Sequence, residues 1–325
     1  MKKNIAILYG GDSSEVKVSL KSGLQVAKII DTKKYNAFLV LVKGPKWLVK
    51  SEPFKDCKVN KDDFSFTADN KKIKFDFALI AIHGTPGENG VLQGYFDIIG
   101  IPYSTSGLLT SAVTFNKYAC KLYLKDINID TAKAVLLREK DKIEPDKIIA
   151  KVGLPCFVKP NNGGSSYGIT KVKTKNALTA AVKKAFAEDT EVIIEEYIQG
   201  TELTCGVFKT KKKDIVFPIT EIVPLNEFFD VDAKYNGASN EITPARISAR
   251  DEKNCKELTS LIYDTLNCKG ICRVDYILTK NRLVFLEINT VPGMTKASII
   301  PQQAEYLGIN MTELFNMVIE DGLVL

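Results

Sequence analysis

The sequence predicts an α/β protein with α+β character, built as a parallel-sheet unit followed by two α+β units. Three observations predict it. Apolar runs ending in glycine alternate with helical patterns at the N-terminal end, as in "NIAILYGG" followed by "SSEVKVSLKSGLQVAKIID". Such alternation implies a parallel sheet with helices on its faces. Longer strand patterns, "ELTCGVFKT" and "DIVFPITEIV", gather in the second half. With 325 residues, the chain has room for two or three domains.

In the first unit, residues 1–105, "NIAILYGG" reads as a buried strand. Val16, Leu20, Leu24 and Ala27 recur at helical spacing behind it, with serines available as caps. "AFLVLVK" and "DFALIAIHG" are further strands. The second unit, 106–199, opens with one long helix, "SAVTFNKYACKLYLKDIN". Strand "KAVLLRE", a helix after "KIEP", strands "CFVKP" and "ITKVK", helix "NALTAAVKKAFAED" and strand "EVIIEEYIQG" follow. The third unit, 200–325, begins with the two long strands. The lysine-rich "KTKKKD" between them reads as a hairpin turn. "PLNEFFDVDAKYNGASNEITPA" is too polar and irregular for a core and reads as a loop. A helix over about 251–267, strands "ICRVDYILT" and "LVFLEINT", and two helices complete the chain.

Composition narrows the function classes. Hydrophobic residues make up 45% and charged residues 26%, as in ordinary globular proteins. The net charge of +6 suits a small anionic substrate, and no basic cluster is interleaved with aromatics as nucleic-acid binding would require. No run of apolar residues is long enough to span a membrane, and the first residues lack the apolar core of a signal peptide. Seven scattered cysteines and a single histidine, His83, argue for reduced thiols in the cytoplasm and against a structural zinc site.

Four motifs carry chemistry. In "CFVKPNNGGSSYGITKV" a strand ends by presenting Lys159, Pro160 stops it, and a flexible glycine-serine turn leads to the next strand. Gly163, Gly164 and Gly168 can bend backbone N–H groups over phosphate oxygens while Lys159 supplies a charge beneath. A plain glycine hairpin beside a surface lysine fits the same letters. In "VIIEEYIQGTE", Glu195 and Glu196 end an apolar strand, and Glu202 follows. A linker of this kind can run along a purine, although paired glutamates at a strand end are often simply solvated. "CRVDY" sets Arg273 and Asp275 on one strand face, and "FLEINTVPGM" does the same for Glu287 and Asn289. Two carboxylates on apolar strands call for a cation, and an all-oxygen set favours Mg²⁺ or Mn²⁺. An internal ion pair with Arg273 is the alternative. His83 stands where a strand runs into "HGTPGENG", a position where parallel sheets hold ligands.

Taken together, "GGDSSEVKVSL", "HGTPGENGVLQG", "FVKPNNGGSSYG", "EEYIQGTE", "EFFDVDAKY", "CRVDY" and "LEINTVPGMTKAS" resemble, in order and over nearly the whole chain, the D-alanine–D-alanine ligases of the ATP-grasp superfamily. The resemblance implies an ATP-grasp fold, in which two α+β subdomains clasp ATP. By position, Lys117 and Lys159 resemble the phosphate lysines, Glu195 the adenine contact, and Glu196 and Ile198 the backbone contacts to the base. Glu202 resembles the ribose carboxylate, and Asp275, Glu287 and Asn289 the ligands of two Mg²⁺ (or Mn²⁺) ions. Glu15 resembles the anchor for the first D-alanine's ammonium, with His83 beside its carboxylate. Lys234, Tyr235 and Ser298 resemble the mobile loop and second-substrate site, and Ser165 the serine that joins glutamate and tyrosine on closure. Arg273 and the Gly293 N–H resemble the oxyanion contacts. The implied activity is ATP-dependent ligation of two D-alanines through a D-alanyl phosphate, for peptidoglycan, by a cytoplasmic homodimer. A sister ligase using D-lactate or D-serine, or a nucleotide-binding relative without catalysis, are the alternatives.

Overall fold

The computed structural model describes residues 2–164, 168–224 and 239–324. The first sheet has the order β3-β2-β1-β7, with β1 (Lys3–Gly10), β2 (Tyr35–Lys43), β3 (Lys46–Val49) and β7 (Phe77–Ile80). β1 runs parallel to both β2 and β7, as strand–helix alternation predicts. Its side chains alternate between two cores. Ile5 and Ile7 face one, and Ala6 and Leu8 the other. The second core is aromatic, joining Phe38, Trp47, Phe64, Phe66, Phe75 and Phe96. It roofs a small antiparallel sheet of β4 (Val59–Asn60), β5 (Ser65–Ala68) and β6 (Lys71–Lys74), which the sequence pattern does not separate.

Helix α1 (Val16–Ile29) lies where the spacing predicts it, but its inward face differs. Ser19, Ser22, Gly23 and Val26 are buried, whereas Leu24 is exposed. The reason is distance. Gly23 lies so close to β1 that a Cβ there would stand 2.3 Å from Tyr9 Cβ, so only small side chains fit this seam. Nor do the preceding serines cap the helix. Glu15 occupies the N-cap position, and Ser13 Oγ accepts from the Glu15 N–H at 3.2 Å.

After α2 (Val91–Ile99), the single long helix expected over 111–128 is two helices, α3 (Leu108–Phe115) and α4 (Lys117–Lys125). Asn116 leaves helical geometry at φ −87°, ψ 101°, and its side chain caps α4 by accepting from the Ala119 N–H at 2.9 Å. The break starts α4 at Lys117.

The next sheet is antiparallel with order β10-β9-β11-β8, from β8 (Ala134–Arg138), β9 (Cys156–Pro160), β10 (Thr170–Val172) and β11 (Glu191–Glu196). Helices α5 (Pro145–Val152) and α6 (Lys175–Ala185) cover one face over Ile148, Val158, Leu178, Val182 and Ile194. The last sheet, β14-β13-β12-β15-β16, holds β12 (Thr201–Lys209), β13 (Asp214–Pro224), β14 (Ser239–Ile242), β15 (Cys272–Leu278) and β16 (Leu283–Asn289). The lysine-rich segment is the expected turn, closed by Thr210 N–H to the Lys213 carbonyl at 2.9 Å. The irregular loop expected before residue 246 contains β14, an edge strand paired to β13. Helix α7 (Ala249–Thr265) packs on β12 and β15 through Cys255, Ile262 and Tyr263. Helix α8 (Ile299–Tyr306) packs on β13, and α9 (Met311–Leu323) returns to the first sheet, where Gly322 meets Phe77. All seven cysteines are free thiols.

The Gly23 seam yields a stability prediction. Gly23→Ala forces a methyl into Tyr9 and should lower unfolding free energy by about 1–3 kcal/mol despite alanine's better helix propensity. Urea denaturation checks it. A neutral or stabilising result contradicts the close packing.

Candidate functional site

Two cavities meet between the sheets. One, of about 500 Å³, is lined by Lys159 and Glu195 from the β8–β11 sheet and by Glu202, Asp275 and Glu287 from the facing one. Its apolar wall includes Ala132, Phe157, Ile198, Ile277 and Leu286, and Glu196 also borders it. The second, of about 610 Å³, is lined by His83, Arg273, Asn289, Gly293 and Ser298. Glu15, Lys117, Gly163, Gly164 and Glu287 border both. Of the described residues that the sequence marks for chemistry, all but Gly168 line one cavity or the other, and Gly168 lies against Pro160 and Glu188. Ser165, Lys234 and Tyr235 lie outside the described residues.

The late acidic motif forms a cross-strand ladder. Arg273 pairs with Asn289 and Asp275 with Glu287, across β15 and β16. Arg273 binds Asp275 through two bonds, Nε to Oδ1 at 2.9 Å and Nη2 to Oδ2 at 2.7 Å. The Thr204 hydroxyl donates to Asp275 Oδ1 at 2.5 Å from the other side. Lys117 Nζ stands 3.6 Å from Glu287. A register shift follows the Asp275–Glu287 pair, so Tyr276 faces Phe285 and Leu286 is the extra residue. That bulge lets the adjacent Leu286 and Glu287 both line the first cavity, which strict alternation forbids.

The base of the glycine loop is more rigid than its letters suggest. Asn161 is fully buried. Its Oδ1 accepts from the Tyr118 N–H at 2.9 Å, and its amide donates to Glu191 Oε2 at 2.8 Å. Asn116 donates to the same Glu191 oxygen at 3.0 Å, and Asn162 is tied to Asp189 by its backbone and side-chain N–H groups. The flexibility expected of the turn from Asn161 onward does not extend to Asn161 and Asn162, which these bonds hold in place. There Lys117 Nζ donates to the Gly163 carbonyl. A Cβ on Gly164 would stand 3.0 Å from both carboxylate oxygens of Glu15. The loop therefore reaches from the first cavity to the floor of the second.

Glu195 is held between two lysines, 2.5 Å from Lys159 and 2.5 Å from Lys121. Burial alone would raise its pKa, but the two ammoniums bring it down to about 2. Burial opposes the charge on Lys159, yet Glu195, Glu287 and Glu202 outweigh it and raise that pKa. Glu196 turns aside, accepting from the Lys133 N–H at 2.9 Å. His83 Nε2 bonds Ser22 Oγ at 2.8 Å, and burial lowers the ring's pKa to about 4. The imidazole is neutral near pH 7 and ties α1 to the second cavity.

Sequence reasoning missed Lys121, although its i+4 spacing from Lys117 on a helix was a usable signal. It also missed Glu88, buried beside Glu15 and Arg273 in the second cavity. Glu88 Oε2 accepts from the Gly84 N–H at 2.9 Å. No local pattern marks Glu88, because its neighbours come from three separate elements.

A family model described as "D-ala D-ala ligase N-terminus" matches residues 4–106, and one described as "D-ala D-ala ligase C-terminus" matches residues 123–320. A D-alanine–D-alanine ligase of Phocaeicola vulgatus is 51% identical over 322 residues, 99% of each chain. Among solved structures, the VanG D-Ala:D-Ser ligase from Enterococcus faecalis superimposes with a TM-score of 0.87 at 33% identity, covering 98% of this chain and 99% of that one. A D-alanine–D-alanine ligase from Bacillus anthracis complexed with ATP gives 0.79 at 30% identity, covering 99% and 98%.

Glu88 yields a pH prediction. Burial first, and the Glu15 charge second, push its carboxyl up from 4.5 to about 8. The folded protein keeps this proton through neutral pH, whereas the unfolded chain releases it near 4.5. The stability Glu88 lends at low pH is therefore lost as pH rises toward 8. Glu88→Gln keeps the acceptor for Gly84 and never ionises. It should be more stable than the parent at pH 8.5, by at least about 1 kcal/mol, with no such gain at pH 5. Urea midpoints at both pH values check this, and a gain confined to pH 5 contradicts it.

Proposed function

The chain belongs to the D-alanine–D-alanine ligase family, and from that premise we propose that its two cavities make D-alanyl-D-alanine through a D-alanyl phosphate intermediate. The activity itself, ATP-dependent joining of two D-alanines for cell-wall synthesis, follows from full-length similarity to ligases of that name on an ATP-grasp fold. One observation carries the mechanism. The cavity fit for a nucleotide and the cavity fit for small amino acids share Glu15, Lys117, Gly163, Gly164 and Glu287. A phosphoryl donor in one would therefore end beside an acceptor in the other.

The adenine lies against Phe157, Ile198, Ile277 and Leu286, with Glu195 accepting from its exocyclic amine and Glu202 holding the ribose hydroxyls. Glu196 and Ile198 offer backbone groups to the base edge. Lys117 and Lys159 gather the phosphate oxygens as point charges. Glu15 binds the ammonium of the first D-alanine and turns its carboxylate toward the γ-phosphate, with His83 alongside. A carboxylate is a poor electrophile, and phosphorylation supplies the leaving group that amide formation needs. The amine of the second D-alanine, near Ser298 and Lys234, attacks the acyl carbon. Arg273 and the Gly293 N–H take the oxyanion, and phosphate departs. Ser165 and Tyr235 complete the closure that keeps water from the acyl phosphate.

Asp275, Glu287 and Asn289 fit a hard divalent cation. They are oxygen donors on one face of adjacent strands, and the protein's own cations, Arg273 and Lys117, already sit against the two carboxylates. Two Mg²⁺ or Mn²⁺ ions held there would neutralise the phosphate oxygens. Among the described residues no three His, Cys, Asp or Glu side chains converge on a metal position, so substrate phosphate and water would complete the coordination.

We place the unit boundaries near residues 105 and 199. A homodimer accounts for the exposed Val91 and Ile98 of α2 and Leu108 and Leu109 of α3, an apolar surface that a second copy could cover. The small polar substrates and free thiols agree with a cytoplasmic enzyme, and no helix among the described residues is long and apolar enough to cross a membrane.

ADP release from ATP and Mg²⁺ should require D-alanine, with L-alanine and D-lactate giving little, and the product should be the dipeptide. Release without any amino acid, or with L-alanine equally, contradicts the proposal. Glu287→Gln should leave the protein folded, as circular dichroism checks, and lower kcat by at least about a hundredfold. A variant with parental kcat and Mg²⁺ dependence removes Glu287 from the site. Gly164→Ala should raise the KM for D-alanine by about tenfold, since its methyl crowds Glu15, while changing the KM for ATP little. The reverse split would place Gly164 on the nucleotide side alone.

A further inference from the structure

Lys121 is buried, yet it borders neither cavity. Its ammonium lies behind Glu195, on the same helix as Lys117 and one turn further along. Each oxygen of the Glu195 carboxylate has its own lysine, Oε1 with Lys121 and Oε2 with Lys159. The two lysines differ in surroundings. Lys159 lines the nucleotide cavity and is drawn also by Glu287 and Glu202. Lys121 Nζ and Glu195 Oε1 have, among the described residues, no hydrogen-bond partner outside their own ion pair. Lys159 is thus free to exchange one anionic partner for another, and Lys121 is not.

We propose that Lys121 is a positioning residue for nucleotide recognition: it holds the Glu195 carboxylate in place and charged while Lys159 turns to the phosphates. This rests on the reading of Glu195 as the carboxylate facing adenine. When phosphate recruits Lys159, Glu195 loses one of two counter-ions in a site closed to water. A buried carboxylate left without a cation is strongly disfavoured, and Lys121 is the cation that remains. Its mount is stiff, because α4 is capped by Asn116 and tied through Tyr118 to the buried Asn161. An oriented, ionised carboxylate accepts from the amine at position 6 of adenine and repels the carbonyl at that position of guanine. Lys121 therefore acts, through Glu195, on base selectivity. Without it, Glu195 also retains Lys159 against the pull of the phosphates.

The pH dependence follows with a definite sign. A carboxyl held low by cations keeps its charge until pH falls through that low value. Removing Lys121 raises the value, because burial then meets a single ammonium, so charge is lost at a higher pH. Among the described residues, the charged groups that face Glu195 are Lys121 and Lys159.

The test measures binding of a non-hydrolysable ATP analogue and its guanine counterpart to the full chain by calorimetry, at pH 7.5 and 5.5. The D-alanine KM is measured in the same preparations. Lys121→Met should weaken the ATP analogue by at least about tenfold at pH 7.5 and further at pH 5.5, and narrow the adenine preference. The D-alanine KM should stay within about twofold, and Lys121→Arg should recover most of the loss. Parental affinity and preference in Lys121→Met would overturn the proposal, as would equal losses for nucleotide and D-alanine, which mark a purely structural role. If Lys121→Met fails to fold, Lys121→Gln replaces it in the same measurements, and the same outcomes support or overturn the proposal. Glu195→Gln separates the inference from the reading beneath it. If Glu195→Gln keeps the adenine preference, the adenine assignment fails. If Glu195→Gln loses the preference and Lys121→Met keeps it, only the role of Lys121 fails.

Discussion

Carboxylates buried between two antiparallel sheets must each be matched by a cation, and most of the cleft can be derived from that constraint. Glu195 has Lys121 and Lys159, Asp275 has Arg273, and Glu287 has Lys117. Left unpaired, a carboxylate as buried as Glu195 would be strongly disfavoured, and the partly buried Asp275 and Glu287 less so. Paired, they form an array of opposite signs that an incoming polyphosphate can rearrange. On the proposed mechanism, triphosphate oxygens would draw Lys117 and Lys159, leaving Glu287 for a divalent cation while Glu195 keeps Lys121. On the mechanism we propose, the pairs that hold these charges in the cleft are also the ones that meet the substrate.

The remaining architecture aims this array. The break at Asn116 starts α4 at Lys117, so Lys117 and Lys121 project one turn apart toward the cleft. Glu191 gathers Asn116 and Asn161 onto one oxygen, joining helix, glycine-loop base and β11. The bulge after Asp275 and Glu287 turns both Leu286 and Glu287 to the first cavity, one apolar and one charged. On the far side, α1 is pressed against β1 by Gly23, which brings Glu15 at its N-cap to the edge of the second cavity. Gly164 then meets Glu15, so the glycine loop and the start of α1 share one contact.

Much of this was legible in the letters because it depends on local period. Alternation along "CRVDY" and "FLEIN" is enough to set Arg273, Asp275, Glu287 and Asn289 on one face, and β15 and β16 carry them so. Strand–helix alternation likewise predicts the parallel strands β2, β1 and β7 of the first sheet, whereas the edge strand β3, antiparallel to β2, lies outside that pattern. What escaped depends on distant partners. Lys121 meets Glu195 only after a whole sheet has folded between them. The inward face of α1 is chosen by the closeness of Tyr9, which favours Ser19, Ser22 and Gly23 over the leucines the spacing pointed to. The Asn116 break reads as continuous helix until Ala119 and Glu191 are seen to need its side chain. The bulge at Leu286 is a matter of register between strands, which no single strand encodes.

On the mechanism we propose, the shared border of the two cavities lets the γ-phosphate pass to the carboxylate of the first D-alanine before any peptide bond forms. Ligation with D-alanine labelled with ¹⁸O in its carboxylate tests this most directly. Mass spectrometry of the released inorganic phosphate should find one ¹⁸O atom per phosphate, carried over when the acyl phosphate breaks. Phosphate free of ¹⁸O, with dipeptide formed at the normal rate, would contradict the account.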